Sequence, residues 1–294
     1  MGIIQTGRVQ IAYETSGSGE AGVVILIRGQ GTQLIHWPES FCEAFATRGF
    51  RTIRFDNRDT GLSGKFDHIA GQELEALKRR IAAGEEIDPP YTVDDMARDV
   101  VALMNELDID RAHIAGISMG GFIAQLLAAK YPSRVLSMTS IMSGSGPVDP
   151  TLIDALWSVR KSREAFIQEW VEYVRQFGST KYFEGDDYSR RIAAAAFDRC
   201  YSPDGANRQL LAIFSRKNPK DWVKSISVPT LVVHGSDDLL LSPSRGQETA
   251  RLIPGATFRL IDGMGHDIPP RLGKLLAEIV LTHILLNANR KAQS

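Results

Sequence analysis

The chain reads as an α/β protein with a mostly parallel central sheet, helices on both faces and a helical cap. Three observations carry this reading. Short apolar runs alternate with longer stretches patterned at helical spacing along most of the chain. The rhythm breaks over residues 143–223, where helical patterns follow one another with no convincing strand between them. The junctions that follow the strands are polar or rich in glycine, and parallel sheets bind their ligands beyond the carboxyl ends of the strands. The expected organisation is a core of residues 1–142 and 224–294, with residues 143–223 inserted as the cap.

Each element has its own local reason. RVQIAYETSG alternates in part and runs into SGSGEAG, a strand and a turn. VVILI is apolar without alternation, as a strand covered on both faces is. RGQGTQLIHW is a loop, and PESFCEAFATRG is a helix with proline at its front and glycine at its back. RTIRF is a strand and DNRDTGLSG a polar turn. Residues 65–90 are charged and predict one exposed helix with a loop. TVDDMARDVVALMNELDID predicts an amphipathic helix with Met96, Val100, Leu103, Met104 and Leu107 on one face and Thr92 as its cap. HIAGI is a strand, GGFIAQLLAAKYP a helix and RVLSMTSIM a strand. In the cap, SREAFIQEWVEYVRQFG, SRRIAAAAFDRC and the stretch after Ser202-Pro203 read as helices. The alternation then resumes with VPTLVVHG, SPSRGQETARLIP, ATFRLID and the terminal helix PRLGKLLAEIVLTHILLN.

Composition narrows the function. With 34 Lys and Arg against 35 Asp and Glu, the formal charge is −1, and the short cluster Lys78-Arg79-Arg80 reads as a solvated helix face. No nucleic-acid partner is expected. Cys42 and Cys200 are too few for a disulfide framework and read as free thiols. The start MGIIQTGRVQ lacks the basic flank and long apolar run of a signal peptide, and VVILI is too short to span a bilayer. A cytoplasmic protein without a membrane span is expected.

The stretch AGISMGGF holds the first chemical clue. Gly116-Ile117-Ser118-Met119-Gly120 is a G-x-S-x-G pattern set between a strand and a helix. In that context a serine sits on a tight, strained turn as a nucleophile, with the N–H of the next residue, Met119, aimed at developing negative charge. A serine hydroxyl needs a base. His266, in IDGMGH just past a strand, is the best placed. His113 falls at the opposite end of the elbow strand, His234 beside Gly235 reads as part of a turn, and His36 lies in a loop near the site. His68 and His283 have no supporting context. The base needs a carboxylate to fix its tautomer. VVHGSDDLLLSP offers Asp237 and Asp238, and spacing does not choose between them. The order is serine, aspartate, histidine, with Asp238 lying 120 residues beyond Ser118 and 28 before His266.

With these residues in view, the chain resembles the α/β-hydrolase fold family across nearly its whole length. The family pattern H-G-x-x-D matches His234-Gly235-Ser236-Asp237-Asp238, which implies Asp238 as the acid. The turn D-x-R-x-x-G-x-S appears as Asp56-Asn57-Arg58-Asp59-Thr60-Gly61-Leu62-Ser63, with Asp59 where the family has glycine. Gly263-Met264-Gly265-His266 matches the base loop. The second oxyanion donor follows an H-G pair in the family. Here that pair is Arg28-Gly29, so the resemblance gives the donor role to the Gln30 N–H. Arg28 either supports the loop or carries charge toward the pocket. DNRDTGLS together with the serine elbow and GMGH is similar to the group containing aclacinomycin methylesterase, whose members cleave carboxylic esters.

The resemblance implies a metal-free, cofactor-free carboxylic ester hydrolase acting on a small-molecule apolar ester through an acyl-enzyme. No G-x-G-x-x-G follows a strand, no P-loop is present, and the histidines lack metal-ligand spacing. A serine at the elbow argues against epoxide hydrolases and dehalogenases of this fold, which use a carboxylate there. A cofactorless perhydrolase, a carbon–carbon bond hydrolase and an amidase remain open, as does a small-ligand-binding protein on the same scaffold. Trp157, Phe166, Trp170, Tyr173, Phe177, Phe197 and Phe214 are expected mostly to hold the cap helices together, with some lining an acyl pocket.

Overall fold

Successive residues of a strand point to opposite faces, and the strand Gly22–Ile27 shows what that does here. Val24 and Leu26 join one buried apolar cluster, Ile25 and Ile27 another. Both faces are covered, so the strand reads as an unbroken apolar run. The computed structural model describes residues 1–7, 9–67, 73–83, 85–216 and 219–292, and His68 lies outside them.

Among the described residues the strands are β1 (Gly2–Gln5), β2 (Gln10–Ser16), β3 (Gly22–Ile27), β4 (Phe50–Phe55), β5 (Ala112–Ile117), β6 (Val135–Ile141), β7 (Thr230–Gly235) and β8 (Thr257–Ile261). They form one sheet in the order β1-β2-β4-β3-β5-β6-β7-β8. β1 and β2 are antiparallel to their neighbours, and the remaining pairs are parallel. The carboxyl ends of β3, β5, β7 and β8 therefore share one edge. β1 was not foreseen from the sequence. It is a short edge strand with no fully buried residue, so it carries no core-facing alternation to read.

Helices α1 (Glu39–Ala46) and α11 (Pro270–Ala292) cover one face, through Phe41, Phe45, Leu272, Leu276 and Val280. α2 (Leu74–Ala82) falls in the charged segment read as one exposed helix. α3 (Val93–Glu106) and α4 (Met119–Lys130) cover the other face, through Val100, Leu103, Ile123 and Leu127. The α3 cap is as expected: Asp95 N–H donates to Thr92 Oγ1 at 3.2 Å, and Thr92 N–H donates back to the Asp95 carboxylate at 2.8 Å. Met96, Val100, Leu103 and Met104 are buried, while Leu107 at the helix end is half-buried.

Between β6 and β7 come α5 (Ile153–Leu156), α6 (Arg163–Phe177), α7 (Asp186–Arg199), α8 (Pro203–Phe214) and α9 (Pro219–Val223), with no strand among the described residues. These helices are not alike. Ten of the twelve residues of α8 are buried, against two of fifteen in α6. α10 (Pro243–Leu252) then links β7 to β8. No helix among the described residues is long and apolar enough to cross a membrane.

Candidate active site

β5 delivers Ser118 directly into the first turn of α4. Its backbone sits at φ 53°, ψ −116°, a conformation costing a side-chain-bearing residue about 1–3 kcal/mol. The surroundings hold it there. Ser118 N–H donates to Ile141 O at 3.0 Å, and its carbonyl accepts from Ser143 Oγ at 2.8 Å and Gly121 N–H at 2.9 Å. The flanking glycines are steric requirements. A Cβ on Gly116 would lie 2.0 Å from Gly120 O, and one on Gly120 would lie 2.2 Å from Ile27 O.

The fold brings the two other candidates to this turn. His266 lies beyond β8, where its N–H donates to Phe177 O at 2.6 Å. Its Nε2 is 3.1 Å from Ser118 Oγ, and its Nδ1 is 2.8 Å from Asp238 Oδ2. An ionised carboxylate only accepts, so Nδ1 carries the proton and the Nε2 lone pair faces the serine. Asp238 Oδ1 accepts from Leu240 N–H at 3.0 Å and Leu241 N–H at 2.8 Å. Burial opposes ionisation of Asp238, but His266, hydrogen bonds from His234 and His266, and the Leu241 N–H together hold its pKa well below the usual carboxylate range. Asp237 faces away and accepts from Ser236 Oγ at 2.7 Å and Thr180 Oγ1 at 2.6 Å.

His234 does more than form a turn. Its Nε2 lies 3.2 Å from Asp238 Oδ2 and 2.8 Å from Leu241 O, so it braces the acid loop from beneath. The signal was present in the four-residue spacing of His234 and Asp238.

The loop after β3 carries Arg28, Gln30 and Gly31. No hydrogen bond runs from the Gln30 or Met119 backbone N–H to another described residue. The Gln30 side chain donates to Leu156 O at 3.1 Å and Ala206 O at 3.0 Å, and Gly31 N–H donates to Gln209 Oε1 at 2.8 Å. Gln209 Nε2 in turn donates to Arg58 O and Thr60 Oγ1, both at 2.7 Å. Sequence reasoning missed Gln209, because a glutamine inside a helix carries no signal of a distant loop.

Ser118, His266 and Gln30 open into a cavity of about 640 Å³. Trp157, Phe166, Trp170, Tyr173 and Phe177 line it, which departs from the expectation that most cap aromatics serve only to join helices. Phe166, Trp170, Tyr173 and Phe177 do pack on one another, with neighbouring ring centroids 5.2–6.4 Å apart, but as a stripe of α6 that faces the cavity. Phe197 is not in the lining and stacks on Tyr201 at 4.6 Å. Cys42 is buried and Cys200 half-buried, and both are free. No group of three or more His, Cys, Asp or Glu among the described residues is arranged to hold a metal ion.

Comparisons with known proteins place the chain in a family and a fold. A family model described as alpha/beta hydrolase fold matches residues 22–269. The chain is 25% identical to the rhodomycin D methylesterase DauP of Streptomyces sp. (strain C5), over 96% of this chain and 97% of that protein. It is 27% identical to the putative non-heme bromoperoxidase BpoC of Mycobacterium tuberculosis, over 88% of this chain and 91% of the other. Its fold matches the enol-lactonase from Burkholderia xenovorans LB400 with a TM-score of 0.75 at 22% identity, covering 97% of this chain and all of that one.

Proposed function

The chain belongs to the α/β-hydrolase family, and on that premise we propose that it is a carboxylic ester hydrolase acting through an acyl-enzyme on Ser118. The observation that supports this most is the continuous hydrogen-bonded line from Ser118 Oγ through His266 to Asp238. His266 Nε2 takes the serine proton as Oγ attacks the ester carbonyl. The Met119 and Gln30 N–H groups stabilise the oxyanion. The alcohol leaves with the proton from His266, and water activated by the same nitrogen releases the acid. Asp238 stays ionised and stabilises the imidazolium.

The similarity to a methylesterase at 25% identity over nearly the whole chain supports an ester substrate. The aromatic lining suits a small or medium apolar acyl or alcohol group. In this reading residues 1–142 and 224–294 form the catalytic core and residues 143–223 the cap that roofs the cavity.

Hydrolysis of p-nitrophenyl butyrate at neutral pH, with wild type and Ser118→Ala purified side by side, tests the assignment. The variant should lose at least about 10³-fold in kcat while keeping the wild-type Tm. Equal turnover in both proteins would remove Ser118 as nucleophile. A wild type turning over only with peroxide and a carboxylic acid present would point to a perhydrolase.

A further inference from the structure

The cavity wall is acidic in sequence but satisfied in structure. Asp154 is paired with Lys78, Glu169 with Lys161 and Glu184 with Arg271, and Glu172 accepts from Gln168. Arg28 is the one Lys or Arg among the described residues lining the cavity, and its side chain hydrogen-bonds to the Thr32 hydroxyl, not to a carboxylate. It is 7% exposed. Its Nε donates to Thr32 Oγ1 at 3.3 Å, and its guanidinium carbon stands 5.3 Å from the centre of the Trp37 ring. Nη1 has no acceptor. The buried Asp267 carboxylate acts on Arg28 electrostatically; it accepts from Ser179 N–H at 2.7 Å and makes no ion pair with Arg28.

His36 adds a second unpartnered polar atom to the same wall. Gln33 N–H donates to its Nδ1 at 3.0 Å, and Gln33 O already accepts the His36 backbone N–H. Gln33 O also lies 3.1 Å from Nδ1, and Nε2 has no hydrogen-bond partner. Burial, then the Arg28 charge, pushes the His36 pKa down to about 3, so the ring is uncharged at neutral pH. Burial lowers Arg28 only to about 10, so it stays charged.

A buried cation without an ion-pair partner is expensive, and a carboxylate is the partner whose two oxygens fit a guanidinium fork. We propose that Arg28, with His36 beside it, is a specificity-determining subsite for a carboxylate carried by the substrate, so that the preferred esters are half-esters of dicarboxylic acids. Arg28 immediately precedes the Gly29-Gln30 loop, which places this charge on the strand end that also supplies the proposed oxyanion donor. The inference rests on the ester-hydrolase reading of Ser118. The apolar stripe of α6 contacts the methylene chain, and the charged end of the substrate reaches Arg28. Water adds across the ester bond, the alcohol leaves, and the released acid yields one proton that a pH-stat records.

The test uses monoethyl esters from succinate to suberate, each against the diethyl ester of the same diacid. Wild type, Arg28→Gln, Arg28→Lys and Ser118→Ala are compared, with Tm as the folding control. A hydrogen-bonded charge pair predicts a half-ester preference in kcat/KM of roughly tenfold to a hundredfold at the best chain length. In R28Q that ratio should collapse at least tenfold, and R28K should retain part of it. Free adipate or its best-length homologue should bind S118A in calorimetry and fail to bind S118A/R28Q. A wild type that cleaves both esters alike, or a preference unchanged in R28Q, overturns the subsite while leaving the Ser118 mechanism intact. Arg28-dependent dicarboxylate binding with no Ser118-dependent turnover of any ester supports the subsite and overturns the ester-hydrolase reading. If R28Q and R28K both fail to fold, absence of dicarboxylate binding to S118A overturns the subsite, and binding that adipate diethyl ester cannot displace supports it.

Discussion

Four donors converge on the Asp238 carboxylate: Leu240 N–H, Leu241 N–H, His234 Nε2–H and His266 Nδ1–H. An amide in its place would keep the shape and lose the charge. Asp238→Asn should also turn its NH₂ toward one of these donors or force the other His266 tautomer, with Nε2 protonated against the serine. Turnover of p-nitrophenyl butyrate should fall by about 10⁴-fold. The same residue sets a pH dependence of stability. Its folded pKa is depressed, so the charge stabilises the fold fully above the unfolded value, about 3.9, and that contribution disappears as pH falls toward the folded value. Tm measured from pH 6 down to pH 2 should therefore show wild type losing its advantage over D238N below about pH 4. A gap that stays constant through that range would mean that the carboxylate is not held by its charge. At this scale the sequence was informative about identity more than about geometry. Ser118 and His266 stood out by their glycine settings. Asp238 needed the family pattern, because two adjacent aspartates look the same until one of them turns under a histidine.

At the scale of elements, the departure at Asp59 explains itself through α8. Asp59 sits at φ 69°, where the family's glycine would be unstrained. Its carboxylate takes two hydrogen bonds from Arg208 of α8, at 2.9 and 2.7 Å, and one from Tyr91 Oη at 2.7 Å. The pair is buried, with side-chain exposures of 4% for Arg208 and 0% for Asp59. One turn earlier Arg199 of α7 reaches Asp56, whose other oxygen accepts Leu34 N–H at 2.7 Å. The inserted helices are thus tied to the turn after β4 and to the proposed oxyanion loop. Arg208→Met should strand the Asp59 charge and cost about 3–5 kcal/mol in urea unfolding, while D59A/R208M should cost clearly less than the two single changes added together. Strict additivity would show that the pair is not coupled. No sequence pattern announces such a link, since the partners lie 149 residues apart and each resembles a surface charge.

For the whole molecule, periodicity revealed the sheet and its covering helices because every buried strand or helix face repeats at its own spacing. It misjudged the aromatics of the inserted segment. A helix facing a cavity and a helix facing a core present the same apolar stripe, so Phe166, Trp170, Tyr173 and Phe177 looked like mortar. Within residues 143–223, expected as one inserted cap, the helices differ in burial. In the structure α8 is buried on nearly all sides, and its Leu210 and Ile213 belong to the cluster that contains Ile25 and Ile123. α6 and α7 bury few residues and pack chiefly on each other above the cavity. Local opening follows the number of buried apolar contacts. Hydrogen exchange should therefore find α8 protected to the level of β5, close to global unfolding. The outer amides of α6 and α7 should exchange through a smaller opening that leaves Ser118, His266 and Asp238 in place. Such a division would make α6–α7 the moving roof and α8 part of the body that fixes the Gln30 loop. It would also predict that Gln209→Ala, by freeing the Gly31 N–H, raises exchange in that loop without changing exchange in α6. If α6, α7 and α8 instead open as a single unit, the Arg208 and Gln209 links are too weak to hold α8 to the core. The inserted segment would then behave as one cap.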